Sequence, residues 1–351
     1  MDYLIDWMPS VYRNFLPSFF SENRSINEYL ASCKSCNMIK KRSDAFLPQT
    51  KCCTYFPEIP NYMVGAILYN KDIDSREGKK RISAIISEKK GVTPLGISPP
   101  KKYSVLFSSS KDCLGKNKAL VCPFLIKRSK LCAIWKKADS NCLTYFCKYV
   151  YGPKGKEFWS AINRYLKHVE RALSLFVMFI EKFDAISYKY IENYLNIKYL
   201  EREDLDGMPP KPEVYKRLWS NYFSKEKYFY AKSFEIIRKL SKSDFERITG
   251  ITQKILLEEV KYRYNDMKYP IIPKMLILNP KIDIKKIDSN LYQLQTKFGQ
   301  FEFSKKLIEI LKCFNGLYDN KEVFNKVKKK FQTKIEEDLF LFLINNQILI
   351  G

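Results

Sequence analysis

The sequence predicts an α+β protein, mostly α, in three parts: an irregular cysteine-rich domain, a helical middle region and a small winged-helix-like C-terminal domain. Three observations carry this expectation. Nine of the ten cysteines fall between Cys33 and Cys147. Apolar residues then recur every three to four positions from Phe158 to Ile180, the period of a helix buried along one stripe. In the last part of the chain, short extended runs separated by polar turns precede three helix-like stretches. The expected boundaries are 1–155, 156–268 and 269–351, with a charged, proline-containing break at 201–213 inside the middle region.

At 351 residues the chain is long enough for two or three cores. No run reaches the ~18 to 20 apolar residues that span a bilayer. The best candidate, Ala172–Ile180, is short and flanked by Arg171 and Glu181. The N-terminus carries Asp2 and Asp6 where a signal peptide carries basic residues, which predicts a cytoplasmic protein with no membrane span. Thiols stay reduced in that compartment, so clustered cysteines point to metal rather than to disulfides. The net charge of +24 has two readings. One is weak attraction to polyanions. The other is biased coding, because most of the basic residues are Lys and the chain is also rich in Ile, Asn, Tyr and Phe.

The elements follow in order. Residues 1–30 read as a short helical lead-in, and SINEYLASCKSC brings a helical turn into Cys33 and Cys36. A C-x-x-C pair aims two sulfurs at one point. Cys52 and Cys53 follow; in extended chain their side chains face opposite ways, which suits two metal ions or two corners of a cluster. IPNYMVGAIL reads as a short helix. Residues 70–100 are polar, with a basic patch at Lys79, Lys80 and Arg81, and end in the loop GVTPLGISPP. YSVLF reads as a strand. Cys113, Cys122, Cys132, Cys142 and Cys147 come next, with Pro123 fixing the backbone after Cys122. The long amphipathic helix has Phe158, Ile162, Tyr165, Val169, Ala172, Phe176 and Ile180 on its apolar stripe. His168, the sole histidine, sits at the edge of that stripe as a packing or solvent-facing residue. Residues 214–265 return to helix, anchored by Phe234, Ile237, Leu240, Phe245 and Ile248. MLIL, LYQLQ and FEF read as strands, followed by helices in SKKLIEILKCFNG, NKEVFNKVKKKF and TKIEEDLFLFLINNQ. Ser304 is the expected N-cap of the first and Gly316 its stop. Leu307, Ile308, Ile310, Leu311 and Phe314 form its buried face, and Cys313 is a small core residue.

Setting Cys113 aside, eight cysteines form the candidate metal-ligand set: Cys33, Cys36, Cys52, Cys53, Cys122, Cys132, Cys142 and Cys147. Eight thiolates fill two four-coordinate sites, as zinc, as iron–sulfur clusters, or as one of each. All-sulfur donors do not separate the two metals. There is no G-x-S-x-G, H-E-x-x-H, P-loop or dinucleotide fingerprint, so catalysis would have to start at the metal.

The residues around Cys33-x-x-Cys36, Cys52-Cys53, CPFL at Cys122, CAIW at Cys132 and NCLTYFC resemble the YkgJ-type zinc- or iron-chelating family over about residues 30–150. Here fifteen residues separate the first two groups, and Lys137-Ala138 stands near the point where that family places Arg-Pro. The resemblance implies a metal-binding, possibly redox-active protein. Flagellin lysine-N-methylases carry a similar cysteine arrangement, which implies the alternative of a metal-dependent enzyme modifying a protein or peptide. The C-terminal ILKCFNGLYDNKEVFNKV and EEDLFLFLINNQIL resemble PqqD-type peptide-recognition domains, which implies a peptide or protein partner. A zinc-stabilised nucleic-acid binder is the third reading, favoured by charge.

Overall fold

A computed structural model describes residues 3–25, 28, 36–39, 46–69, 76–111, 113–147 and 149–351. Cys33 and the helical turn expected to lead into it lie outside the described residues. The protein is mixed α+β and mostly helical. Packing divides the chain into two compact units. The larger comprises Met1–Ile26, Ser32–Cys147 and Asn163–Leu256; the smaller comprises Asn27–Ala31, Lys148–Ile162 and Leu257–Gly351. These units interleave along the chain and so follow a different division from three consecutive segments. Residues 201–213 lie within the larger unit.

The larger unit begins with 3-10 turns at Leu4–Trp7 and Ser10–Tyr12 and a short helix α1 (Phe19–Glu22). A two-residue strand β1 (Ile59–Pro60) leads into α2 (Asn61–Tyr69), which is buried almost all round, as its continuous apolar sequence requires. Within the polar stretch 70–100 lies α3 (Arg76–Glu88). There Gly78, Ile82 and Ile86, four residues apart, bury one face while the lysines ride the other. The proline-rich loop contains β2 (Val92–Thr93) and β3 (Gly96–Ile97), which join β1 in the order β1-β3-β2. YSVLF is not a strand. It lies in α4 (Lys101–Ser109), where helical spacing brings Tyr103 and Phe107 into stacked contact with centroids 6.4 Å apart. The hairpin β4 (Leu125–Ile126) and β5 (Leu131–Cys132) and the short helix α5 (Ser140–Thr144) complete the cysteine-rich stretch.

The long helix α6 (Gly152–Ile180) forms as its periodicity predicts. Phe158, Ile162, Tyr165 and Val169 are buried, but the stripe then drifts: Leu173, Val177 and Met178 are buried and Ile180 is exposed. An α-helix slips relative to any strict repeat over eight turns, so the terminal residues of the expected stripe leave the core. Helices α7 (Ala185–Leu195), α8 (Arg202–Asp206), α9 (Pro212–Trp219), α10 (Glu226–Arg238) and α11 (Lys242–Lys268) follow. Ile237, Leu240 and Phe245 are buried as expected, whereas Phe234 and Ile248 are half-buried. Helix α11 is interrupted at Gly250, whose φ of 63° and ψ of −160° are not helical.

Helices α2 and α10 cross at Gly65. A Cβ there would lie 2.0 Å from the Tyr230 carbonyl oxygen, so only glycine permits the approach. Aromatic side chains of the same region hold the small sheet. The Tyr230 hydroxyl donates to the Thr93 carbonyl (2.8 Å), and Trp219 Nε1 donates to the Val92 carbonyl (3.3 Å).

In the smaller unit, β6 (Ile277–Leu278) pairs with the C-terminal strand, while β7 (Asp283–Lys286), β8 (Leu291–Thr296) and β9 (Gly299–Ser304) form an antiparallel meander. Helices α12 (Lys305–Leu311), α13 (Asn320–Phe331) and α14 (Glu337–Asn345) precede the last strand, β10 (Leu349–Ile350). Ser304 caps α12 as expected, accepting from Leu307 N at 3.2 Å. Gly316 is not the stop: α12 ends at Leu311, and Gly316 follows the bridge between Ile277 and Asn315. Cys313 is half-buried, its sulfur 3.6 Å from the Glu309 carbonyl oxygen. Phe301 and Phe303 alternate inward on β9 and meet Phe342 of α14 at centroid distances of 5.3 and 6.3 Å. Among the described residues no helix is long and apolar enough to cross a membrane.

Candidate metal centre

Three stretches of the larger unit bring the second cysteine group to the first. Cys52 and Cys53 sit in a turn after Lys51, whose φ is 50°. Cys53 N donates to the Thr50 carbonyl (3.0 Å), and Cys122 N donates to the Cys53 carbonyl (2.8 Å), which stitches the second stretch to the first. The β4–β5 hairpin pairs Leu125 with Cys132, and Ala133 N donates to the Phe124 carbonyl (2.8 Å). Asp139 caps α5: its Oδ1 accepts from Cys142 N at 3.1 Å, and Cys147 follows shortly after the helix.

The thiols of Cys52, Cys53, Cys122, Cys132, Cys142 and Cys147 consequently influence one another. The Cys52 thiol exchanges hydrogen bonds with Cys147 and Cys53, which holds it well below the ordinary thiol range. Its partner Cys53 is pushed up, first by the Cys52 contact and then by burial, with Cys122 and Cys132 adding to the rise. Burial pushes Cys122 up to about 12, with Cys132 nearby. Cys142 is also raised, by burial first and then by Asp139, Cys122 and Cys132. The expectation that Cys52 and Cys53 face opposite ways is corrected: they are hydrogen-bond partners, because a turn, unlike a strand, leaves neighbouring side chains on one side.

The remaining cysteines behave differently. Cys36 is half-buried. Cys113 is buried with its sulfur 3.9 Å from the Phe107 carbonyl oxygen. The nine described cysteines are all thiols rather than disulfides. His168 is half-buried, with Nε2 2.8 Å from the Thr249 carbonyl oxygen, as a packing histidine would be. Among the described residues, no group of three or more Cys, His, Asp or Glu side chains stands close enough to hold a metal ion. The donor chemistry nevertheless suits a soft cation: six sulfurs in one neighbourhood, one of them inclined to the thiolate.

A polar network beside the thiols has no counterpart in the sequence reading. The Tyr55 hydroxyl donates to Asp139 Oδ2 (2.8 Å), and Asn141 Nδ2 donates to the Tyr55 oxygen (2.6 Å). Ser140 N and Oγ donate to the two Glu170 carboxylate oxygens at 2.7 and 2.9 Å. Burial raises the Asp139 carboxyl, and burial with the Asp139 charge raises that of Glu170. The one legible signal was Asp139-Ser140 ahead of a short helix, the pattern of an N-cap.

Comparison with family models, with curated proteins and with solved structures gave no match.

Proposed function

We propose that this is a cytoplasmic metal-binding protein in which Cys52, Cys53, Cys122, Cys132, Cys142 and Cys147, completed by Cys33 and Cys36, hold zinc or an iron–sulfur cluster. The observation that carries this reading is the joining of the two cysteine groups at Cys53, whose carbonyl accepts from Cys122 N at 2.8 Å. Residues so far apart in sequence gather their sulfurs at the cost of burying several thiols together. A cation that replaces the thiol protons repays that cost. The YkgJ-type resemblance adds to the reading. Bound zinc would brace the fold, and a cluster would carry electrons. In the smaller unit we propose a winged-helix-like, PqqD-type peptide or partner site. Strand β7 supports it: among the described residues it pairs with β8 alone and is largely exposed, so its outer edge suits an added strand.

Anaerobic purification followed by metal and sulfide analysis tests the metal reading. Stoichiometric zinc, or iron with sulfide, is expected, falling at least by half in the Cys52→Ser and Cys122→Ser variants. Metal-free protein whose thiols all react with a thiol reagent under native conditions would overturn it.

A further inference from the structure

We infer that the β4–β5 hairpin and the turns beside it form a docking surface for single-stranded nucleic acid, separate from the thiol centre. From Lys89 to Ala138 the sequence holds twelve basic residues and a single acidic one, Asp112, against fifty basic and thirty-seven acidic residues in the rest of the chain. Biased coding raises Lys everywhere. It does not remove Asp and Glu from one stretch, so the local excess calls for an anionic partner.

The backbone brings part of this charge to one place. The hairpin tip presents Lys127 and Arg128 to solvent, and Lys130 closes the turn by donating its N–H to the Ile126 carbonyl (2.8 Å). The loop carrying the exposed Lys116 and Lys118 lies alongside, because Lys51 links the two. Lys51 is buried, its backbone lies beside Gly115, and its Nζ donates to the Lys130 carbonyl at 3.2 Å. Among the described residues, Lys116, Lys118, Lys127 and Arg128 form no ion pair.

One further feature distinguishes this surface from a solvated charge run, namely Trp135. It occupies the corner of the turn closed by Lys137 N donating to the Ile134 carbonyl (2.8 Å), and it is 44 % exposed while Ile134 beside it is buried. Trp159 and Trp219 are fully buried. An exposed indole within a basic stretch offers a face on which an unpaired base stacks while the phosphates meet Lys and Arg. The tip itself is polar, Lys127, Arg128 and Ser129, whereas a loop that enters a bilayer carries apolar residues at its tip.

Fluorescence anisotropy with labelled twelve-nucleotide oligouridylate and oligothymidylate tests this on the full-length protein. Four phosphate contacts, at Lys116, Lys118, Lys127 and Arg128, predict a loss of about fiftyfold in affinity between 50 and 200 mM salt. Lys127→Ser with Arg128→Ser is expected to cost roughly tenfold and to flatten the salt slope. Trp135→Ala is expected to cost roughly tenfold, with Trp135→Phe restoring most of it. Lys328→Ser with Lys329→Ser on α13 removes the same charge from an exposed helix and should leave affinity unchanged; thermal melts confirm folding in each case. Equal losses from the hairpin and α13 variants would overturn the inference in favour of net charge alone. Trp135-dependent binding to vesicles containing phosphatidylserine, with none to the oligonucleotides, would overturn it in favour of a lipid surface.

Discussion

The cysteine-rich stretch of the larger unit and the sheet-and-helix part of the smaller one use similar lengths of chain and build opposite interiors. Among the described residues, the first has no strand longer than two residues between Phe46 and Cys147. It buries Thr50, Lys51, Thr54, Asp139, Ser140 and Thr144 among its apolar residues and thiols. The second has two six-residue strands whose alternate residues point at a cluster of phenylalanines. An apolar interior is stabilised by transfer of its surface from water and depends on no ligand. A polar, thiol-rich interior is held by hydrogen bonds of modest net worth, and the proposed cation supplies what they lack.

The largest test of this contrast is Phe342→Ala, which removes the ring that Phe301 and Phe303 both meet. It should cost about 4 kcal/mol, equally with and without a chelator. Denaturant melts followed on the smaller unit measure it, and a chelator-dependent loss would erase the distinction between the two interiors.

A second test uses pH. Glu28 in the smaller unit accepts from Val150 N (2.8 Å) and Trp159 Nε1 (2.7 Å), and burial raises its carboxyl to about 7. The folded state therefore keeps its proton where the unfolded chain has lost it. Stability is fully present below the unfolded value of 4.5 and falls as pH rises from there to about 7, by about 3 kcal/mol, then levels. In Glu28→Gln this dependence should vanish, which melts between pH 4 and 8 would reveal; an unchanged slope would assign it elsewhere.

The third test separates the regions directly. Adding a strong chelator should speed proteolysis within residues 112–148 roughly tenfold or more and leave residues 275–351 unaffected. Equal cleavage rates with and without chelator would remove the cation from the account of the first interior. The smallest effect is that of Ser304→Ala, which frees Leu307 N from its cap and should cost about 1 kcal/mol in thermal melts.

What could be read from residues alone follows the same division. Most of the α6 stripe, the Ser304 cap and the β8 and β9 runs were legible because each depends on neighbours within a turn or on a short extended stretch bounded by polar turns. Strand β7 was missed because its residues, Asp283-Ile284-Lys285-Lys286, are edge residues with little apolar signal. YSVLF has the composition of a strand, but stacking between Tyr103 and Phe107 and packing against distant residues decide for helix. At the thiols, spacing singled out the candidate ligands. It carried no information on the turn that makes Cys52 and Cys53 partners, or on the Tyr55–Asp139–Asn141 contacts, which join residues 84 and 86 positions apart.

The break at Gly250 has its own consequence. Its φ and ψ belong to a region that L-residues avoid, yet nothing lies within 4 Å of where a Cβ would stand. Handedness, not volume, is what this position selects. A D-alanine placed there by chemical ligation would hold the same torsions without backbone strain and would narrow the unfolded ensemble, so the mirror-image residue should tighten a fold that its natural enantiomer would loosen.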